Sequence, residues 1–399
     1  MNVRIALLCL LMVGLPSTVS WAAPQPAGDS SGPPAWIVRL AKKRTFKPCV
    51  KPAPKGMVCI PGGIYVRGSN RNTQHWWWKM RAESPRHYVI LDTFYIDKYE
   101  VTHKQYRACL KAGYCKPSVL NCKRRRWARF CRPNQAFVSS TFWMARDYCR
   151  WAGKRLLFEA EWEAAARGPK GTTYPWGNQE PACKYANYRL YPEDKSYPRP
   201  QSIMKFCPSP SKQKKGVKFV RIRRDEMWNV GSTPPNPFGI YDMAGNGYEW
   251  VQDYYDPHAY AGCDKPNSPT CQVVNPRGPC KGKGNVCRTK RRVVYNWTRR
   301  RVKVWKTYRS GKRRRVRRLR WFRKKIRMRR SRTVKFRNRI LKGGSWWWPK
   351  DRLRSAFRRG NYTNTGIHRL SIRCGSSTTN IRPLGRNHNR KRRRRKRKR

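Results

Sequence analysis

Residues 241–250 read Tyr-Asp-Met-Ala-Gly-Asn-Gly-Tyr-Glu-Trp, and the reading of the whole chain turns on this run. It holds too many small residues for a helix. Gly245, Asn246 and Gly247 tolerate positive φ, so the backbone can fold back tightly and turn successive carbonyl oxygens inward. Asp242 and Glu249 bracket that turn with two carboxylates. Hard cations such as Ca²⁺ take an all-oxygen shell, so Asp242, Gly245, Gly247 and Glu249 are candidate ligands of a structural calcium ion. The same spacing also fits a metal-free polar hairpin turn, or two carboxylates acting as an acid/base pair.

The flanking residues extend the pattern. Pro234 to Val251, Lys342-Gly343-Gly344-Ser345-Trp346 and Ile372-Arg373-Cys374-Gly375 resemble the motifs of the formylglycine-generating enzyme, or sulfatase-modifying factor, family. Gly153-Lys154-Arg155-Leu156 followed by Glu159 to Gly168 is similar to that family's central helix. The resemblance runs in family order over most of 57–265 and 340–375. It implies one α+β domain of C-type-lectin-like fold, rich in loops. It also places Asp242 and Glu249 on structural calcium, and gives Asn187 and the Tyr188 carbonyl to a second calcium site whose acidic partner the 190–227 loop leaves unassigned.

The resemblance further implies a copper ion held by two cysteines shortly after the Gly-Gly-Ser motif. Here Trp346 to Ser355 holds no cysteine. Thiolates are both the metal ligands and the redox chemistry, and Trp, Pro and Leu do not replace them, so copper and formylglycine generation are not expected. Nor do the six histidines pair at iron-binding spacing. No Gly-x-Ser-x-Gly, Gly-rich phosphate loop or His-Glu-x-x-His occurs. Trp346, Trp347 and Trp348 would then occupy the former cleft, either as a stacking surface for a peptide or glycan or as core filling.

Charge points to a partner class. The 399 residues carry 93 Lys and Arg against 20 acids, a net charge of +73, and such a chain meets polyanions or gathers counterions. Residues 281–339 hold 29 Lys or Arg and no acid, and the last ten residues are all basic, yet more than half of the cations lie elsewhere. Val316, Leu319, Phe322 and Ile326 recur at three, three and four, which predicts a basic amphipathic helix over 312–330. Arg313, Arg314, Arg317, Arg318, Arg320, Lys324, Lys325 and Trp321 are its candidate contacts to nucleic acid, lipopolysaccharide or an anionic membrane surface. A solvated insert is the plain alternative.

The ends and joints complete the reading. Residues 1–22 resemble a secretory signal, with Arg4 before the apolar run Ile5 to Leu15, and no later segment is long enough to span a bilayer. That reading predicts a secreted or periplasmic protein. Residues 23–56 read as a linker, 57–375 as the domain with its insert at 281–339, and 376–399 as a disordered basic tail. Cys9 set aside, fourteen cysteines fit a disulfide framework, with closure of Cys109 on Cys115 expected around Gly113. Helices are predicted from a Thr102/Gln105 capping box, after Thr141, and over Glu159 to Arg167, where Leu157-Phe158 removes the usual hydroxyl cap.

Overall fold

The computed structural model describes residues 32–50, 52–70, 82–118, 120–190, 205–216, 218, 220–221, 227–266, 271–278 and 338–381. It adds the backbone of the strands Val286–Arg288, Val294–Thr307, Arg313–Ile326 and Thr333–Lys335. The expected signal and the last eighteen residues lie outside them. Two four-stranded sheets carry the framework. In the first, Met57–Ile60 pairs with Phe94–Asp97, which pairs with Cys374–Ser376, which pairs with Arg155–Leu156. In the second the order is Arg359–Tyr362, Asn338–Lys342, Tyr248–Tyr254, Leu370–Ser371, and the last pair is parallel. His87–Leu91 and Phe94–Asp97 follow one another in the chain but do not pair: His87–Leu91 takes Gly63–Arg67 as its partner.

The helices start where side chains satisfy their first N–H groups. Thr102 and Gln105 form the reciprocal capping box, and Thr141 caps Phe142–Trp151, whose Phe142, Ala145, Tyr148 and Cys149 are buried. Helix Glu159–Arg167 lacks a hydroxyl cap, and two carboxylates replace it. Glu161 accepts from the Phe158 N–H at 2.8 Å, and Asp253, from a strand of the second sheet, accepts from the Glu159 N–H at 2.7 Å. This helix is buried almost all round: Ala160, Trp162, Ala164, Ala165 and Ala166 join Ile60, Phe94, Ile96, Val251 and Ile340 in one cluster.

A helix so enclosed must neutralise its charges internally. Glu159 pairs with Arg67 at 2.5 Å and Arg358 at 2.6 Å, and Glu163 with Lys342 at 3.1 Å and Arg167 at 3.0 Å. Burial alone would raise the Glu159 carboxyl, but Arg358 and Arg67 outweigh it and hold it well below the carboxylate range. Asp253 lacks such a cation at its free oxygen. Burial and then the Glu159 charge push it up to about 7.

Among the described residues six disulfides tie the loops to this frame, among them Cys109–Cys115 as expected from Gly113. Cys149–Cys374 joins the Thr141-capped helix to the first sheet across 225 residues of chain. Part of the stretch read as a linker is structured. Ala35–Lys42 is a helix with Ile37 buried, Arg44 pairs with Asp92 at 2.6 Å, and Cys49 is bridged to Cys59. Its Pro and Gly content masked a short amphipathic turn that only tertiary contacts stabilise. No helix among the described residues is long and apolar enough to cross a membrane.

Candidate functional site

The Gly245 turn is built as its sequence demands. Asp242, Gly245 and Asn246 have φ of 55°, 79° and 52°. A Cβ on Gly245 would lie 2.4 Å from the Asn187 carbonyl oxygen, and one on Gly247 2.6 Å from Ser371, so both positions need glycine for close approach. The Asn246 N–H donates to the Asn187 carbonyl at 2.9 Å, which brings Asn187 onto the same turn. The two expected cation sites therefore adjoin at Asn187. Tyr188 turns away, its carbonyl accepting from the Cys207 N–H at 3.1 Å.

Three fully enclosed carboxylates meet here. Asp242 accepts from Thr233 and from the Gly231 N–H, and Glu249 accepts from Trp162 Nε1 at 2.6 Å and from Arg373 at 2.8 Å. The third is Glu100, absent from the sequence-derived set, held by Asn246 Nδ2 at 2.6 Å and Ser371 Oγ at 2.7 Å. Its position more than 140 residues from Asn246 left no local signal. Among the described residues Arg373 is the guanidinium that faces them, so three acids stand there against one cation. Burial, then Glu249 and Asp242, push the Glu100 carboxyl well above its ordinary value, and burial raises Asp242. The donor set is hard oxygen, and with all three acids ionised the shortfall in positive charge would be two, the charge of a divalent cation of the calcium type. The donor chemistry suits such an ion, but protein donors already engage all three carboxyl groups, and these groups do not bring one oxygen each within 4.8 Å of one another, so a bound ion would have to draw them together.

The tryptophan cluster divides. Trp346 is 1% exposed and packs on Phe130 at 5.3 Å, Phe206 at 5.7 Å and His368 at 5.4 Å, so it fills the core and does not line a cleft. Its place directly after a buried Gly-Gly-Ser strand end explains the difference. Trp347 and Trp348 are half-buried, and arginines surround them. Leu353, between these arginines, is itself fully buried.

No soft-metal set appears among the described side chains. Two groups bring a histidine to two cysteines, His87 with Cys263 and Cys271, and His103 with Cys122 and Cys131. In both, the sulfurs are joined in a disulfide and are not thiolates. Burial pushes both imidazoles down to about 4, so they are neutral at pH 7.

The basic insert corrects the predicted helix over 312–330. Val294–Thr307 and Arg313–Ile326 form an antiparallel hairpin of fourteen residue pairs, from Val294↔Ile326 to Thr307↔Arg313. A helix would stack like charges at i,i+4, as in Arg313 with Arg317, Arg314 with Arg318 and Arg320 with Lys324. A ribbon exchanges those columns for cross-strand cation pairs such as Arg300↔Arg320, Lys303↔Arg317 and Lys306↔Arg314, but its Val, Trp, Thr and Phe favour strands and the ladder satisfies the backbone. By strand alternation Arg313, Arg317, Trp321 and Lys325 share one face, and Arg314, Arg318, Arg320 and Lys324 the other. At ~3.3 Å per residue the ribbon is roughly 46 Å long.

Among proteins of known name, the chain is 32% identical over 266 residues to the serine/threonine-protein kinase pkn1 of Chlamydia pneumoniae, covering 63% of this chain and 35% of that one. It is 27% identical over 274 residues to the formylglycine-generating enzyme of Bos taurus, covering 58% of this chain and 64% of that one. The chain thus spans about a third of the first relative's length and just under two thirds of the second's. Among solved structures, PvdO from Pseudomonas aeruginosa aligns over 80% of this chain and 93% of its own, with 22% identity and a TM-score of 0.47. Residues 42–377 match the model of the sulfatase-modifying factor enzyme 1-like domain, and the chain, a single α+β domain of that fold, belongs to the sulfatase-modifying factor family.

Proposed function

We propose that this chain is an exported, calcium-steadied member of its family that works as a polyanion-binding protein and not as a copper oxidase. The observation that carries the reading is the 294–326 hairpin. Its two strands hold fourteen Lys or Arg among 28 paired residues and no acid. Such a ribbon lays cations along an extended polymer, releases its counterions and offers interleaved Trp297, Trp305 and Trp321 for stacking. Nucleic acid and lipopolysaccharide are the partners of matching charge. Trp347 and Trp348 supply a second surface on which a peptide or glycan can rest.

The absence of cysteine between Trp346 and Ser355 supports the loss of oxidase chemistry. Export is supported by the leader-like residues 1–22 and the six disulfides. Kinase activity is not part of the reading, since the chain spans only 35% of the kinase relative and carries no Gly-rich phosphate loop.

Binding of duplex DNA and of lipopolysaccharide at graded salt tests the proposal. With six or more contacts engaged, affinity falls by about 10³ or more between 50 and 200 mM salt. A flat log–log line for both ligands overturns it. A second reading, formylglycine generation, is favoured by the name of the bovine relative. Mass spectrometry of a sulfatase-type cysteine peptide incubated with copper-loaded protein decides between them: an aldehyde product refutes the non-oxidase reading.

A further inference from the structure

The loop after Gly343-Gly344-Ser345 gathers guanidinium groups around one indole. Arg352 lies 4.0 Å, Arg359 5.0 Å and Arg369 5.4 Å from the Trp348 ring centroid. Arg369 also sits 5.3 Å from Trp347, and the Arg189 N–H donates to the Trp348 carbonyl at 3.0 Å. Asp351, about a third exposed, lies 4.0 Å from Arg352. The centroid distances put the three ring-stacked charges within about 10 Å of one another, close to a Debye length, so salt does not screen their repulsion away.

Arg369 shows what the cluster lacks. Its Nε and Nη1 are buried and have no hydrogen-bond partner, and neither does the buried Nε1 of Trp348. A buried donor left unmet is costly, more so on a charged group. Burial, then Arg359, with Arg189 and Arg352 in the same direction, push Arg369 down to about 10. Trp348 holds the guanidiniums of Arg352, Arg359 and Arg369 together by cation–π contact, and the unmet Arg369 Nε and Nη1 are left to donate to a ligand.

We propose that Arg359 and Arg369, arrayed with Arg189 and Arg352 around Trp348, form a binding site for a tetrahedral oxyanion, phosphate or sulfate, free or as a monoester. Planar guanidinium forks match the oxygen spacing of such anions, and two or more of them supply both charge and orientation. The site is independent of the hairpin: it sits on the folded framework and would hold one small anion, not a polymer.

The test is isothermal titration of the full chain with inorganic phosphate, inorganic sulfate, phenyl phosphate and phenyl sulfate at constant ionic strength set with chloride. The expected result is one site per chain whose affinity falls at least tenfold in Arg369→Met. The hairpin variant Arg314→Gln/Arg318→Gln/Arg320→Gln leaves that site intact. Arg369→Met also melts at a higher temperature than wild type in phosphate-free chloride buffer, because the variant removes a charge from a crowded cluster. If Arg369→Met does not fold, Arg359→Gln is read in the same way. Tighter binding of the phenyl esters assigns the monoester, equal binding assigns the free anion, and both support the site. Equal phosphate affinity in wild type and Arg369→Met, or loss only in the hairpin variant, overturns it.

Discussion

Replacing Glu159 with Gln removes the anion at the centre of the buried ion network while keeping shape and hydrogen-bonding capacity. Arg67 at 2.5 Å, Arg358 at 2.6 Å and Lys342 at 4.0 Å then lose their shared partner, while Glu163 keeps Lys342 at 3.1 Å and Arg167 at 3.0 Å. Breaking a buried pair from one side costs about 3–5 kcal/mol, chiefly because charge is left enclosed without compensation. For a domain of this size that corresponds to a fall in Tm of roughly 6–10 °C. The sign with pH follows from the depressed carboxyl. The stabilisation is fully present above the ordinary value of 4.5 and is lost as pH falls below it toward the folded-state value. The gap between wild type and Glu159→Gln is therefore widest at neutral pH and narrows below that point. Denaturant titration at pH 7 and pH 4 measures both. The double variant with Arg358→Met costs less than the sum of its parts, since it removes an enclosed cation along with the anion. A cost for Glu159→Gln under about 1 kcal/mol, or strict additivity with Arg358→Met, refutes the network as a coupled unit.

Three further outcomes can be checked. Asp253 is held neutral by its surroundings up to about 7, against an ordinary 3.8, so stability present below the ordinary value drains away as pH rises through that window. Asp253→Asn keeps the cap on Glu159, flattens the dependence and is more stable than wild type at pH 8 by as much as about 4 kcal/mol, as read by melting between pH 4 and 8. Calcium at a hundredfold excess over its Kd raises stability by about 2.7 kcal/mol, roughly 5 °C in Tm, and a melt unaffected by chelator would sink the calcium assignment. Removing Cys149–Cys374, which closes 225 residues, costs about 5 kcal/mol, whereas removing Cys109–Cys115, which closes six, costs about 2, as compared by urea unfolding of the paired Cys→Ser variants.

What could be read from the chain was local. Thr102 with Gln105, Thr141, the Gly113 stop and the Cys109–Cys115 loop each depend on residues a few positions apart, and each stands where expected. The Gly245 turn was legible because its glycines and carboxylates are contiguous. Glu100 and the capping role of Asp253 were not, since each meets its partner through packing of distant strands. Val316, Leu319, Phe322 and Ile326 fit a helical period, but charge is so dense around them that the period decides little; the neighbouring Val294–Thr307 run decides it by offering a ladder partner. Arg359 and Arg369 looked like two more cations in a basic chain. Only their convergence on Trp348 sets them apart.

At the root of the long ribbon, Val286–Arg288 pairs with Thr333–Lys335, so the outgoing and returning chains are clasped side by side before Asn338 re-enters the second sheet. Entry and exit points that close together make the whole excursion detachable. A framework of this kind can exchange one appendage for another while its strands, bridges and buried ions keep their places, and recognition can diverge far faster than architecture.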